Sequence, residues 1–199
     1  MPALIQKVSL PTKIRGVIFD IDGTLADSWK LGYDATNEVL QKNNVDLITE
    51  QVYHEHCIYT TPVRLARHAG LLPEKDEDFE EVGARLGDEF DNMYVDLVST
   101  KTAGFYAGIP ELINELPEDV KLGVLTNACV AYARAVLQSN CVPDVKSRFL
   151  AINGADNVPA AKPNPDGLYL CCKEMDLDPQ DCVYIGDSPS DGKAAHNAG

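Results

Sequence analysis

Four short polar clusters in this sequence hold the residues able to do chemistry. The first is Asp20-Ile21-Asp22-Gly23-Thr24, directly after the apolar run Val17-Ile18-Phe19. A carboxylate at the end of an apolar strand is costly unless something cationic meets it. Two carboxylates at i and i+2 can divide the work: one attacks, the other handles protons. A carboxylate is a competent nucleophile toward phosphorus and yields an acyl phosphate. Gly23 lets the backbone turn and offer N–H groups to an anion. A strand closed by an Asx-type turn has the same spelling, so the pentapeptide alone leaves both readings open.

The other three clusters complement it. Thr126-Asn127 follows the run Leu122-Gly123-Val124-Leu125, and a hydroxyl with nearby N–H groups there can hold phosphate oxygens; a helix cap reads the same way. Lys162 sits in Ala161-Lys162-Pro163-Asn164-Pro165, where prolines fix the backbone around it. Such a lysine can neutralise both a nucleophile and a transferring phosphoryl group, or it can be a solvated loop residue. Gly186-Asp187-Ser188-Pro189-Ser190-Asp191 supplies two more carboxylates, four apart. With Asp20 they provide enough hard oxygen ligands for Mg2+, which takes one or two carboxylates plus waters and substrate phosphate. No six-to-eight-oxygen cage suited to calcium is evident.

Elements that would position these clusters are readable from periodicity. Val17–Phe19, Leu122–Leu125, Phe149–Ile152 and Cys182–Ile185 are short apolar runs of the kind buried in parallel sheets. Helical segments at about Tyr132–Gln138 and Pro165–Met175 separate the last three. Strands alternating with helices predict an α/β fold with a Rossmann-like parallel sheet, and ligands of such sheets bind beyond the carboxyl ends of the strands. Three of the four runs are followed at once by a polar cluster. The stretch between the first two strands reads as helical. Leu31, Ala35 and Val39 share a face, Thr61-Pro62 opens a helix that Gly70 closes, and Phe79, Val82, Leu86, Phe90, Met93 and Leu97 step by three or four. The expected division is a discontinuous core of 1–27 and 102–199 with an inserted all-helical cap of 28–101.

Composition narrows the function. The 199 residues carry a formal charge of −14, which repels nucleic acid and requires any phosphate site to be locally positive. No apolar run approaches the roughly 20 residues needed to span a bilayer, and Met1–Lys7 lacks the pattern of a secretory signal. The six cysteines form no CxxC pair, so a disulfide scaffold and a zinc site are both disfavoured. Reduced, partly buried thiols in a cytoplasmic-type compartment are expected, with an organellar location left open.

The four clusters, in this order and with a helical stretch after the first, resemble the haloacid dehalogenase-like superfamily, whose motifs run DxDGT, Thr/Ser, Lys and GDxxxD. The resemblance covers nearly the whole chain. It implies a phosphatase in which Asp20 is nucleophile and magnesium ligand. Asp22 would be the general acid and then base, with its backbone carbonyl on the metal. Thr126 and the backbone N–H of Asn127, beside Gly23, would hold phosphate. Lys162 would balance charge, and Asp187 and Asp191 would hold Mg2+ directly or through water. The superfamily's dehalogenases lack an aspartate at the second position, so Asp22 argues against carbon–halogen cleavage. Its phosphonate-cleaving members use a cap lysine, and none occurs between Asn43 and Glu74.

The insertion is similar to the small helical cap of the phosphoglycolate phosphatase-like and sugar-phosphate branches. Tyr59, Thr60, Thr61 and Arg64 are its candidate substrate readers; Arg64 is placed to pair a substrate carboxylate or second phosphate, or else to lie on the surface. Ala128-Cys129 follow Asn127 where many phosphoglycolate-type members carry a lysine, which leaves the ester open. The expectation is a small phosphorylated metabolite as partner and a monomer or weak homodimer. A phosphomutase with the same nucleophile is the nearest alternative, and a non-catalytic binding protein on the same fold a more distant one. Relatives usually continue past the helix after Asp187 with another strand. This sequence stops at Gly199, which reads as a shortened chain with an open sheet edge.

Overall fold

The computed structural model describes residues 13–141 and 147–199. The N-terminal segment Met1–Lys7, expected to carry no secretory signal, lies outside the described residues. In chain order the elements are β1 (Gly16–Phe19), β2 (Ala26–Asp27), α1 (Trp29–Lys42), α2 (Glu50–His56), α3 (Thr61–His68), α4 (Phe79–Asp96), β3 (Gly104–Phe105), α5 (Ile109–Glu115), β4 (Lys121–Leu125), α6 (Val130–Asn140), β5 (Phe149–Asn153), α7 (Asp166–Glu174), a short 3-10 turn (Pro179–Asp181), β6 (Cys182–Ile185) and α8 (Pro189–Ala198).

Four strands form a parallel sheet in the order β5-β4-β1-β6. The α/β expectation is met, and all four apolar runs are its strands. Both faces are covered, so side chains alternate between two apolar cores rather than between core and solvent. Val17, Phe19, Leu122, Val124 and Phe149 point into a core shared with α6 and the helices before β3. Ile18, Leu125 and Ala151 point the other way, against Leu168, Cys171 and Met175 of the α7 region and Ala194 of α8. Truncating a fully buried ring such as Phe19 to alanine in a core of this kind costs about 3–5 kcal/mol.

Register decides where the polar clusters fall. Phe19 lies opposite Val124 on one side and Ile185 on the other. Asp20, Thr126 and Gly186 therefore emerge from the same edge of the sheet.

Helices α1 to α4 lie between β2 and β3, which pair antiparallel as a two-stranded ribbon, Ala26 with Phe105 and Asp27 with Gly104. Helix α3 begins with Pro62 in its first turn, where the missing N–H costs nothing. It ends at His68, and Gly70 turns the chain away as expected. In α4 the inward stripe is Phe79, Leu86, Phe90 and Tyr94. Val82 and Met93 are only partly buried against it, and Leu97 follows the last helical residue and is exposed. The extra helix α2 has a Thr49 cap, whose hydroxyl accepts from the Val52 N–H. Among the described residues no helix is long and apolar enough to cross a membrane.

Candidate active site

Asp20 is the first residue past β1, with its N–H donating to the Ile185 carbonyl at 2.8 Å. The residue is 5% exposed. Lys162, 6% exposed, reaches it across the sheet edge: Nζ donates to Asp20 Oδ1 at 2.7 Å and to Asp191 Oδ1 at 2.6 Å. The loop lysine is thus a buried bridge between two carboxylates. Asn127 fixes the peptide that carries it, accepting from the Lys162 N–H at 3.0 Å and donating to the Lys162 carbonyl at 3.2 Å. The Lys162–Pro163 peptide is cis.

The charges in this cluster are unevenly held. Burial pushes the Asp20 carboxyl up to about 7; Lys162 pulls it back, and the charges of Asp191 and Asp22 add to the rise. Burial would lower Lys162, but Asp20 and Asp191 together outweigh it and its pKa is raised. Asp191 is also penalised by burial, yet it is held below its usual range by Lys162, Ser188 and Tyr184. Asp187, more open, is raised first by partial burial and then by the Asp191 charge.

Asp191, expected to hold the metal directly or through water, is tied up by protein donors. Its Oδ1 accepts from Lys162 and from Tyr184 Oη at 2.7 Å. Its Oδ2 accepts from the Ser188 N–H at 3.0 Å and Ser188 Oγ at 2.6 Å, closing a capping box at the start of α8. Both oxygens are therefore engaged by the protein. Oxygens of Asp20, Asp187 and Asp191 still lie within 4.8 Å of one another. This all-carboxylate donor set, with no side-chain hydrogen-bond donor on Asp187 among the described residues and Asp20 short of compensating charge, fits a hard divalent cation.

Gly23 carries the turn past Asp22 with φ of +80°, and a Cβ there would lie 2.2 Å from Asp187 Oδ2. Only glycine permits both the left-handed backbone and the approach of that carboxylate.

Asp22 is surrounded by hydroxyls. Oδ1 accepts from Tyr132 Oη at 2.6 Å, from Tyr94 Oη at 3.2 Å and from Ser28 Oγ. Thr126 Oγ1 lies 3.5 Å from Oδ2 and accepts from the Ala128 N–H at 3.0 Å. Burial pushes both tyrosines well above their ordinary range, so their hydroxyls stay protonated and donate. Ser28, Tyr94, Tyr132 and Tyr184 are site residues that sequence reasoning missed. Ser188-Pro189-Ser190-Asp191, a serine cap with proline next and an acid at the third helical position, was the one signal available for Asp191's structural role.

Asp20, Asp22, Ser28, Thr126, Lys162 and Asp187 line a cavity of about 360 Å³ whose far wall comes from α2, α3 and α4. Thr61 and Tyr59 line it. Thr60 caps α3 without a side-chain hydrogen bond. Arg64 is 9% exposed, not a surface residue. Its guanidinium sits 4.7 Å from the Phe90 ring centroid and 5.3 Å from that of Tyr53, and its Nε has no hydrogen-bond partner among the described residues. Burial opposes its charge, but Tyr53 and Cys57 beside it keep it a cation.

Comparison with known proteins places this geometry. The sequence matches the family described as haloacid dehalogenase-like hydrolase over residues 17–199. It is 27% identical over 190 residues to a phosphoglycolate phosphatase of Haemophilus influenzae, covering 94% of this chain and 84% of that protein. It is 28% identical over 188 residues to an N-acetylmuramic acid 6-phosphate phosphatase of Pseudomonas aeruginosa, covering 94% and 79%. The structure is similar to that of CbbY from Rhodobacter sphaeroides in complex with phosphate, with a TM-score of 0.80, 27% identity, and 93% and 83% of the two chains covered. The chain belongs to the haloacid dehalogenase-like hydrolases, in their phosphoglycolate phosphatase-like branch, and is a phosphatase of that family.

Proposed function

We propose that this enzyme hydrolyses a small phosphate monoester through a phospho-aspartate on Asp20, with Mg2+ as cofactor. The observation that carries the reading is the convergence of Asp20, Asp22, Thr126, Lys162 and Asp187 on one cavity at the carboxyl edge of the sheet. Asp20, Asp187 and the backbone carbonyl of Asp22 would hold the cation, which supplies charge neutralisation at the transferring phosphoryl group. Asp191, engaged on both oxygens, acts behind them by fixing Lys162 and the Ser188 turn.

Asp20 attacks phosphorus while Lys162 offsets the charge of its carboxylate. Asp22 gives a proton to the departing alkoxide oxygen. The Thr126 hydroxyl and the N–H of Asn127, beside Gly23, hold the phosphoryl oxygens. A water then attacks the acyl phosphate, Asp22 takes its proton, and phosphate leaves. Phosphoryl transfer depends on this kind of positioning and charge stabilisation.

We take residues 28–101 as a cap on a core of 1–27 and 102–199. Its helices exclude water and read the leaving group. Arg64, charged and buried in the cavity wall with Thr61 beside it, favours an ester whose other end is also anionic, such as a phosphoglycolate-like compound or a sugar carrying a second acidic group. The reading has the enzyme acting on a soluble metabolite in the cytoplasm, as a monomer or weak homodimer.

Phosphate release from a panel of monoesters with Mg2+, spanning phosphoglycolate, sugar phosphates and nucleoside monophosphates, tests the reading. Asp20→Asn must abolish release, because an amide cannot form the acyl phosphate. Full activity in that variant sinks the mechanism. Recovery of an isomerised sugar phosphate instead of free phosphate would assign a phosphomutase.

A further inference from the structure

Away from the cavity, at the amino-terminal edge of the sheet, two thiols meet. Cys172 lies inside α7 and is 3% exposed; Cys182 is the first residue of β6 and partly exposed. Their Sγ atoms are 3.8 Å apart. The connection between them is short and tightly tied, with the Leu177 N–H donating to the Cys172 carbonyl at 3.0 Å and the 3-10 turn Pro179–Asp181 leading straight into Cys182. Gly16 of β1 makes the space. A Cβ at that position would lie 2.8 Å from Cys182 Sγ and 2.6 Å from Leu177 Cδ1, so nothing on the neighbouring strand comes between helix and sulfur.

The adjacent Cys171 is aimed elsewhere. Its Sγ contacts the Val124 carbonyl at 3.5 Å and the Asn153 amide at 3.3 Å on the sheet side of α7. Cys57 lies against the Tyr53 carbonyl in α2. Only the 172–182 pair, among the described residues, is recorded with sulfur against sulfur.

We propose that Cys172 and Cys182 form a disulfide on exposure to a peroxide, tying α7 to the start of β6. One thiolate of the pair attacks the peroxide; the O–O bond breaks, water leaves, and that sulfur becomes a sulfenic acid. The second thiol attacks the sulfenic sulfur, the S–S bond forms, and a second water leaves with the remaining proton. Two thiols are oxidised and one peroxide is reduced to two waters. The sulfurs must close from 3.8 Å to the bonded separation of about 2.05 Å, a movement on the scale of rotation about the two Cα–Cβ bonds. The contact with Cys182 also lowers the Cys172 thiol below its ordinary value, favouring a thiolate.

The effect falls on stability rather than on turnover. Cys182 pairs with Gly16 at one end of the strand, while Asp20 and Gly186 lie at the other, about 13 Å away at the rise of a β-strand. The bridged protein keeps its phosphatase rate within about twofold and gains about 5 °C in Tm.

The test treats the full-length enzyme, with Mg2+ present, with hydrogen peroxide, blocks remaining thiols, and maps the peptides by mass spectrometry. A cross-linked peptide joining Cys172 to Cys182, lost on reduction, is expected. Cys171→Ser and Cys57→Ser leave the bridge intact, and Cys182→Ser removes both it and the gain in Tm. Oxidation that maps to Cys57 or Cys171 while Cys172 and Cys182 remain alkylatable would overturn the proposal. The wild-type peptide map decides this even where a serine variant folds poorly. Because the readout is a covalent bond, it stands or falls separately from the substrate assignment.

Discussion

The ring of Tyr94 stacks on the ring of Tyr132, centroids 4.1 Å apart and planes 15° from parallel, and both hydroxyls reach the same oxygen of Asp22. Tyr94 belongs to α4, in the stretch between β2 and β3; Tyr132 belongs to α6, packed on the sheet. A single carboxylate oxygen thus accepts from a helix between β2 and β3 and from a helix on the sheet, at the residue assigned to proton transfer.

Removing either hydroxyl should loosen Asp22 while leaving the stack in place. Tyr132→Phe loses a 2.6 Å bond to a charged acceptor, a class of interaction contributing about 1.5–3 kcal/mol. We expect kcat to fall about tenfold or more with KM nearly unchanged. Tyr94→Phe, at 3.2 Å, should lose less. Tm should fall by roughly 3–10 °C in Tyr132→Phe and by less in Tyr94→Phe, the ring contacts remaining in both. Unchanged kcat in both variants would show that the hydroxyls do not orient the carboxylate.

Lys162 holds two buried carboxylates at once, so its loss should be felt in stability as well as in rate. Breaking a buried ion pair by deleting one partner costs about 3–5 kcal/mol. Lys162→Met is expected to lower the unfolding free energy obtained from urea titration by that amount and to abolish turnover. Adding Asp20→Asn should restore part of the stability, because one of the stranded charges is then gone, and none of the activity. If the double variant is no more stable than the single one, the two residues are not energetically coupled.

Cation dependence carries a pH signature. Asp20 is raised to about 7 in the folded protein from 3.8, so between those values the folded chain binds more protons than the unfolded one. Stability from this group is therefore full below about pH 4 and declines as pH rises toward 7. Mg2+ favours the ionised carboxylate, and its stabilising effect should grow across the same window. Thermal melts with and without Mg2+ from pH 5 to 8 check this. Asp187→Asn should shrink the Mg2+-induced rise in Tm, and a chelator should stop phosphate release.

His68 predicts the opposite slope. Burial drives it down from 6.5 to about 3, and the charges of Arg64 and His56 push the same way. Its buried Nε2 has no partner among the described residues, and its Nδ1 lies 3.2 Å from that of His56, a contact that accommodates a single shared proton. The folded state binds fewer protons than the unfolded, so this group's contribution is complete above pH 6.5 and is lost as pH falls toward 3. Urea unfolding at pH 7 and pH 5 should show the loss, and His68→Phe should reduce it. An unaltered pH slope in that variant would refute the assignment.

Much of the arrangement was legible because the candidate catalytic residues sit where short apolar runs stop. Phe19 to Asp20, Leu125 to Thr126 and Ile185 to Gly186 are abrupt changes of polarity, and parallel register brings them to one edge. Helices with strong stripes or caps, such as α3 and α4, were readable for the same reason. Helices α2 and α5, seven residues each, are too short to display a period. The tyrosines around Asp22 were hidden because a tyrosine at a helical core position is spelled like any other apolar residue. What matters is the direction of its hydroxyl, set by contacts 72 and 110 residues away in sequence. The burial of Arg64 was hidden likewise, since its aromatic neighbours Tyr53 and Phe90 come from two other helices.

The pairing of Ala26 with Phe105 and Asp27 with Gly104 constrains how the helices beyond it can move. The outgoing and returning chain are fastened to each other, so α1 to α4 are attached through one narrow double strap rather than two independent tethers. A strap of that kind permits swinging and twisting but resists sliding or separation. Any opening that admits a metabolite would follow an arc, and Tyr94, riding on that arc, would leave or rejoin Asp22 with each swing.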